Sequence, residues 1–282
     1  MNQQQEEQLV QQRNIWNRYS AGWKKWDDLM RNGVWPVGEG LIASLELKGN
    51  EHVLDVASGT GEPGLTLSKL LPGGKVTAVD LSEKMVAIAN EHAQLRGITN
   101  YQSQLSDASN MPFQNDFFDH VICRFGTMFF PDIKAGLQEM VRVLKPGGRM
   151  AVAVWAAPEK NPFLTLMGST VTEKLGLPKP PPDTPGIFRF AKPGLMSQLF
   201  ADAGLVNITD SNIEGEIIYD TVEQYWEVSS DVAGPIMEAL KSQPPEVVED
   251  IKSSVLTKAR NYIKNDKMPI QWEAIIVTGM KK

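Results

Sequence analysis

Cysteine is almost absent from this chain of 282 residues: Cys123 stands alone, so no internal disulfide forms and cysteine-rich metal centres are excluded. Histidine is scarce as well. His52, His92 and His120 are too few for a histidine-rich centre, and no metal site is expected. Surplus positive charge is lacking: 28 basic against 34 acidic side chains leave a formal net charge of −6, which offers little general attraction to nucleic acid or anionic lipid. No apolar run approaches the length of a membrane span, and the Gln/Glu-rich start up to Gln12 lacks the basic-then-apolar profile of a signal peptide. The expectation is a cytoplasmic protein without stable membrane insertion, acting on a small molecule and not on nucleic acid. What the chain does have is apolar material, 42% of its residues, enough to exclude global disorder. Its length suits one large α/β unit with insertions as well as two small domains.

Four zones follow from the pattern. Residues 1–48 form a helical extension, polar to Gln12 and then aromatic, with Trp16, Tyr19, Trp23, Trp26 and Trp35. Residues 49–157 alternate strands (52–57, 75–80, 100–105, 119–125, 149–155) with helices, the rhythm of a doubly wound, mostly parallel sheet. Ser82 is the expected N-cap of a helix reaching Arg96, which Gly97 ends, and a further helix is expected over 133–144. Residues 158–193 break the rhythm. There Pro178, Pro180, Pro181, Pro182 and Pro185 make a stiff segment that is neither helix nor central strand. Residues 194–282 return to the sheet: a helix over 193–203 stopped by Gly204, a strand from Leu205, two or three helices within 221–267, and a closing strand over 270–279. Seven strands are expected in all.

The strongest signal is Val53-Leu54-Asp55-Val56-Ala57-Ser58-Gly59-Thr60-Gly61-Glu62-Pro63-Gly64: a strand, a glycine turn and a helix start. Gly59 and Gly61 let a ligand approach the backbone, and the helix beyond offers free N–H groups. Nineteen residues after Gly61, Asp80 ends the second strand, where it can accept from both ribose hydroxyls of an adenosine. Gly59-x-Gly61-x-x-Gly64 literally satisfies the dinucleotide fingerprint, so an NAD(P)-dependent oxidoreductase is one reading. Against it, Asp55 and Glu62 place carboxylates where a pyrophosphate would sit. Those carboxylates instead suit the ammonium and sulfonium of S-adenosylmethionine (SAM), and Asp107-Ala108 offers an acceptor for an adenine amino group.

Here the chain resembles a known family. Asp55-Val-Ala-Ser-Gly59-Thr-Gly61 resembles the first motif of class I SAM-dependent methyltransferases, with Ala57 standing where their first glycine usually does. Val79-Asp80-Leu81-Ser82-x-x-Met85 resembles their second motif. Phe118-Asp119-His-Val-Ile-Cys-Arg124-Phe125-Gly126 and Arg142-Val-Leu-Lys-Pro146-Gly147-Gly148 resemble the fourth-strand and following motifs, with the flavour of the ubiquinone/menaquinone-biosynthesis branch. The resemblance spans about 50–157 strongly and 188–282 loosely. It implies a Rossmann-like methyltransferase fold, SAM as cofactor and S-adenosylhomocysteine as product. It further implies Asp80 on the ribose, Leu81 and Met85 against the adenine, and Asp107 and Ala108 at the adenine edge. The 57–61 turn and Arg124 would lie beside the methionine portion. An N-terminal helix often covers the cofactor in this family, and Tyr19 falls where such a cover residue would be. A SAM-binding module without activity is a further reading of the same motifs.

Each residue also has a plainer reading. Gly64 serves helix–sheet packing, Cys123 is a small apolar residue of the sheet, and Met85 on its own is core. Arg124, ending a buried strand, needs a partner: either Glu139 or the cofactor carboxylate. His52 and His120 open strands, and His92 lies late in an antiparallel helix, so all three are expected at the sheet edge away from ligand. Methyl transfer tolerates that, since displacement from a sulfonium needs alignment and exclusion of water before it needs a base. Tyr19, Asp27, Glu39, Glu159, Tyr219 and Tyr225 are the remaining acid–base candidates, Tyr19 foremost, and no spacing singles one out. Trp26, Trp35, Phe129, Phe130 and Trp155 offer material for a flat apolar acceptor pocket, or for an aromatic box around a cationic amine. Trp16 reads as packing. The sequence carries no signal for oligomeric state.

Overall fold

A computed structural model describes residues 3–178, 181 and 183–282. Three helices come first: α1 (Gln3–Lys25), α2 (Asp27–Gly33) and α3 (Trp35–Ala43). Then follow β1 (His52–Val56), α4 (Gly64–Lys69), β2 (Lys75–Asp80), α5 (Glu83–Leu95), β3 (Tyr101–Leu105), β4 (Phe118–Arg124), α6 (Ile133–Val143) and β5 (Leu144–Trp155). The second half adds α7 (Pro162–Leu175), α8 (Leu195–Asp202), β6 (Leu205–Tyr219), α9 (Val222–Val232), α10 (Gly234–Lys241), α11 (Pro245–Ala259) and β7 (Met268–Lys281).

The seven strands order as β3-β2-β1-β4-β5-β7-β6, parallel except for β7, which runs antiparallel to both its neighbours. Chain order therefore reverses between β1 and β4. Such a switch point opens a crevice at the C-terminal strand ends. Right-handed crossovers place α4 and α5 on one face and α6 on the other, where α6 meets α8. With both faces covered, the central strands are largely apolar and buried: Val53 to Val56, broken only by the carboxylate of Asp55, and Val121 to Cys123 are fully or almost fully buried. Caps fix the helix starts nearest the crevice. Ser82 Oγ accepts from Met85 N at 3.1 Å, and Asp132 Oδ1 accepts from Ala135 N at 2.9 Å.

Two segments differ from expectation. Within the zone 158–193, where no element was assigned, Pro162 opens the 14-residue α7. Proline is tolerated at the first turn, where its missing N–H would have had no partner. Gly176, with φ 59°, then ends the helix. Pro178, Pro181 and Pro185 lie beyond it, while Pro180 and Pro182 lie outside the described residues. Leu144 belongs to β5 and not to the helix before it. The register jumps from Phe118–Leu144 to His120–Arg149, so Pro146-Gly147-Gly148 bulge out of a continuing strand.

Candidate active site

A cavity of about 290 Å³ opens over the switch point. Its floor is the turn after β1. Ala57 holds φ 56° and Gly59 φ 53°, both left-handed, and a Cβ on Gly59 would meet nothing within 4 Å. That open space is the room a ligand needs against the backbone. Ala57 carries a side chain in the same strained region, and its Cβ would lie 2.4 Å from a Cβ on Gly126. Gly126 is therefore glycine because the β1 and β4 loops touch there. Gly61, with φ 113°, donates to Ser58 O at 2.9 Å and abuts Leu65. It shapes the turn and does not line the cavity.

Asp80, at the end of β2, lines it. Its Oδ2 accepts from Gly59 N at 2.8 Å and its Oδ1 from Ser82 N at 2.9 Å, which ties the β1 and β2 loops together. Burial raises its pKa, and those backbone N–H groups oppose the rise. Leu81, Met85, Asp107 and Ala108 line the same end. Asp107 is also engaged locally, accepting from Ser109 N at 2.9 Å and Ser109 Oγ at 2.8 Å. Asp55 is different. It is 1% exposed beneath the turn, where Oδ2 accepts from Gly64 N at 3.1 Å. Burial pushes its pKa up to about 7 against the pull of Arg124.

Arg124 lines the cavity with a buried Nη1 that lacks a hydrogen-bond partner among the described residues. Glu139 is not its partner, because that carboxylate holds Arg142 and Met111 N. Burial lowers the Arg124 pKa, while Asp55, Glu62 and Asp27 raise it electrostatically. A guanidinium donor left over in a buried site fits an anionic ligand group.

The first helices form the roof, but not with the residues expected. Trp16, Trp23, Asp27, Met30 and Val34 line the cavity, whereas Tyr19, Trp26 and Trp35 do not. Steps of three along a helix turn the side chain back by about 60°, so Tyr19 faces away from the stripe that holds Trp16 and Trp23. Its hydroxyl donates to Glu238 of α10 at 2.6 Å. Trp26 donates to Asp231 at 2.8 Å and Trp35 to Glu39 at 2.7 Å. The i to i+7 spacing of Trp16 and Trp23 was the available signal for the true stripe.

Behind the turn lies a polar latch. Thr60 Oγ1 donates to Asp27 at 2.8 Å, and Arg96 pairs with Glu62 at 2.5 Å and with Asp27 at 3.4 Å. His92 joins it: Nδ1 stands 3.0 Å from Thr60 O. The expectation that His92 sits at the far edge therefore fails, because the 58–63 loop reaches down beside α5. His92 still does not line the cavity, nor do His52 and His120.

The far half is apolar. Phe125, held at φ 61°, stacks on Trp155 with centroids 3.9 Å apart and planes within 10°. Phe129 packs edge-on against Trp16 at 5.1 Å. Phe163 and Met167 of α7, Tyr225 and Ser229 of α9, and Ile236 of α10 complete the wall. Sequence reasoning missed α7 and found no way to select among the 221–267 helices. Of the acid–base candidates, Asp27 and Tyr225 line the cavity, while Glu39, Glu159 and Tyr219 do not. Tyr225 is spent on structure: its hydroxyl donates to Phe163 O and accepts from Met167 N, both at 3.1 Å, and burial raises its pKa.

Comparison with known proteins matches this geometry. A methyltransferase domain family model fits residues 53–148. An uncharacterized protein of Mycobacterium tuberculosis is 28% identical over 250 residues, covering 88% of this chain and 87% of that one. The demethylmenaquinone methyltransferase of Thermus thermophilus is 32% identical over 168 residues, covering 56% of this chain and 75% of its own length. The fold recurs in Haemonchus contortus phosphoethanolamine N-methyltransferase 2, solved with phosphomonomethylethanolamine and S-adenosylhomocysteine. There the TM-score is 0.54 at 17% identity, with 88% of this chain and 52% of that one covered. No helix among the described residues is long and apolar enough to cross a membrane. With the glycine turn, the Asp80 strand end and the unpartnered Arg124 at the switch point, the chain belongs to the class I SAM-dependent methyltransferases, and its cofactor is SAM and not a nicotinamide dinucleotide.

Proposed function

We propose that the protein methylates a small, largely apolar or aromatic molecule that enters the half of the cavity between Phe125, Trp155 and Phe163. The carrying observation is the chemistry of that wall: aromatic and aliphatic side chains from β4, β5, α7, α9 and α10 with few free polar atoms. A neutral acceptor fits better than a cationic amine. A box for a cation needs several ring faces turned toward one point, and here Phe125 and Trp155 each have one face covered by the other. In the cofactor half, Asp80 takes the ribose hydroxyls, Leu81 and Met85 pack the adenine, Asp107 and Ala108 meet its edge, and Arg124 takes the methionine carboxylate.

Bound SAM supplies a methyl group on a sulfonium that leaves as a neutral thioether. The chain then has to align the acceptor and keep water out. Trp16, Trp23 and Met30 roof the site, and the aromatic wall excludes solvent. No histidine is asked to act as a base, which leaves proximity and desolvation as the dominant contributions. Incubation with methyl-labelled SAM and a whole-cell extract tests the reading. Label is expected in an apolar, low-molecular-weight product. Label found only in protein or nucleic acid would overturn it.

A further inference from the structure

Two cations line the cavity among the described residues, Arg31 and Arg124, and the motifs account for only one of them. Arg31 lies in α2, outside every recognised motif. Its Nη2 donates to Asp28 at 2.6 Å, while its Nε is buried and has no hydrogen-bond partner among the described residues. An N–H group in that condition costs free energy unless a ligand takes it.

The acids in the cavity wall do not supply that partner. Asp27 and Glu62 hold Arg96, and Asp80 holds Gly59 N and Ser82 N. Asp107 holds Ser109, while Asp132 caps α6 and accepts from Gln5. The buried Nε–H of Arg31 is thus a donor available to a ligand carboxylate. Asp27, one helical turn before Arg31, accepts from Thr60 of the β1 turn, which brings Arg31 to the end of the cavity where Arg124 lies, and the charges of Asp27 and Glu62 act on both guanidiniums. Within the cofactor, only the amino-acid end carries a carboxylate.

The helix is also a firm mount. Asp27, its first residue, is bound by Thr60 and Arg96, and the carbonyl of its last residue, Gly33, accepts from Trp272 Nε1 at 2.9 Å. Arg31 therefore cannot swing far from where it stands.

We propose that Arg31 donates its Nε–H to the cofactor's carboxylate from the roof while Arg124 donates from the floor, so that the N-terminal helices recognise the amino-acid end of SAM. This rests on SAM being the cofactor and is independent of the acceptor.

Calorimetry with two ligands tests it: S-adenosylhomocysteine, and 5′-methylthioadenosine, a nucleoside thioether without the amino-acid end. Arg31→Met is expected to weaken S-adenosylhomocysteine about 10- to 100-fold, the size of a charge-assisted hydrogen bond. Methylthioadenosine should stay within about twofold of wild type on the same argument. Arg31→Lys, which keeps the charge and loses the fork, is expected to fall between, and it carries the test if Arg31→Met fails to fold. Equal losses for both ligands, or no loss for either, would overturn the proposal. Wild-type protein that ignores S-adenosylhomocysteine would fail the cofactor assignment instead.

Discussion

The two halves of the cavity are built in different ways. The cofactor half comes from strand ends: 57–60 after β1, 80–85 after β2, 107–108 after β3 and 124 at the end of β4. Sheet register brings these together, and each lies within a few residues of a recognisable pattern. The aromatic half takes Phe163 and Met167 from α7, Tyr225 and Ser229 from α9, and Ile236 from α10. Those helices dock through packing between residues far apart in the chain, such as Tyr225 bonding to the backbone of 163 and 167. One half is specified by backbone geometry, the other by side-chain shape. Damage to the first should therefore read out in cofactor affinity, and damage to the second in stability and acceptor choice.

The largest test of that division is Trp155→Ala. Trp155 is 6% exposed and touches Phe125, Phe163 and Trp272. Its removal should cost about 3–5 kcal/mol of stability in denaturant unfolding, while S-adenosylhomocysteine affinity of the folded fraction changes little. Asp80→Asn should act chiefly on the cofactor, with a smaller stability loss because its amide leaves either Gly59 N or Ser82 N without an acceptor. Its volume is kept, but a charged acceptor is lost, and cofactor affinity by calorimetry should fall about 100-fold, roughly 2–3 kcal/mol.

Next in size is a pH effect that separates the cofactor turn from the opposite sheet edge. Asp55, raised to about 7 from 3.8, binds its proton more tightly when folded. Its stabilisation is full below about pH 4 and is lost as pH rises through 7. His52, lowered to about 4 from 6.5 by burial and by Lys75, has the opposite sign. Its neutral folded form is favoured above about pH 6.5, and that stability is lost as pH falls toward 4. Relative to wild type, Asp55→Asn should gain stability above pH 7, on the order of 2 kcal/mol. His52→Gln should lose less than wild type between pH 6.5 and 4. Urea titrations across pH 4–8 check both, and a matching sign for the two would break the assignment.

Smaller effects sharpen the boundary. Gly168 sits inside α7 at the cavity wall, and a Cβ there would meet only Ile236 Cδ1, at 3.8 Å. Gly168→Ala should raise stability by about 0.5–1 kcal/mol through helix propensity, with cofactor affinity unchanged. Smallest of all is Tyr19→Phe, which removes one bond to a Glu238 that Arg18 and Lys241 also hold. Its S-adenosylhomocysteine affinity should stay within about twofold of wild type. A larger loss would return Tyr19 to the cofactor.

The strands, the glycine turn and Asp80 were legible because each follows from local alternation, turn chemistry and spacing; the strand order that makes the switch point was not. The Ser82 cap and the Gly97 and Gly204 stops were legible for the same reason. Arg124 was half legible: its need for a partner could be read, but Glu139 remained an alternative until the structure showed it bound to Arg142. Other features had to wait for the packed chain. A 60° turn on one helix decided that Trp16 roofs the cavity and Tyr19 does not. The depth of the 58–63 loop decided that His92 bonds to it. The docking of α2 decided that Arg31, which no motif marks, lies with an unpartnered donor in the site. The sequence by itself determined the sheet and an adenosine-containing cofactor, because those rest on local alternation and on backbone conformations that few residues can adopt. Only the tertiary structure decided the roof and the far wall, because helix rotation and side-chain docking depend on contacts between residues that the chain keeps far apart.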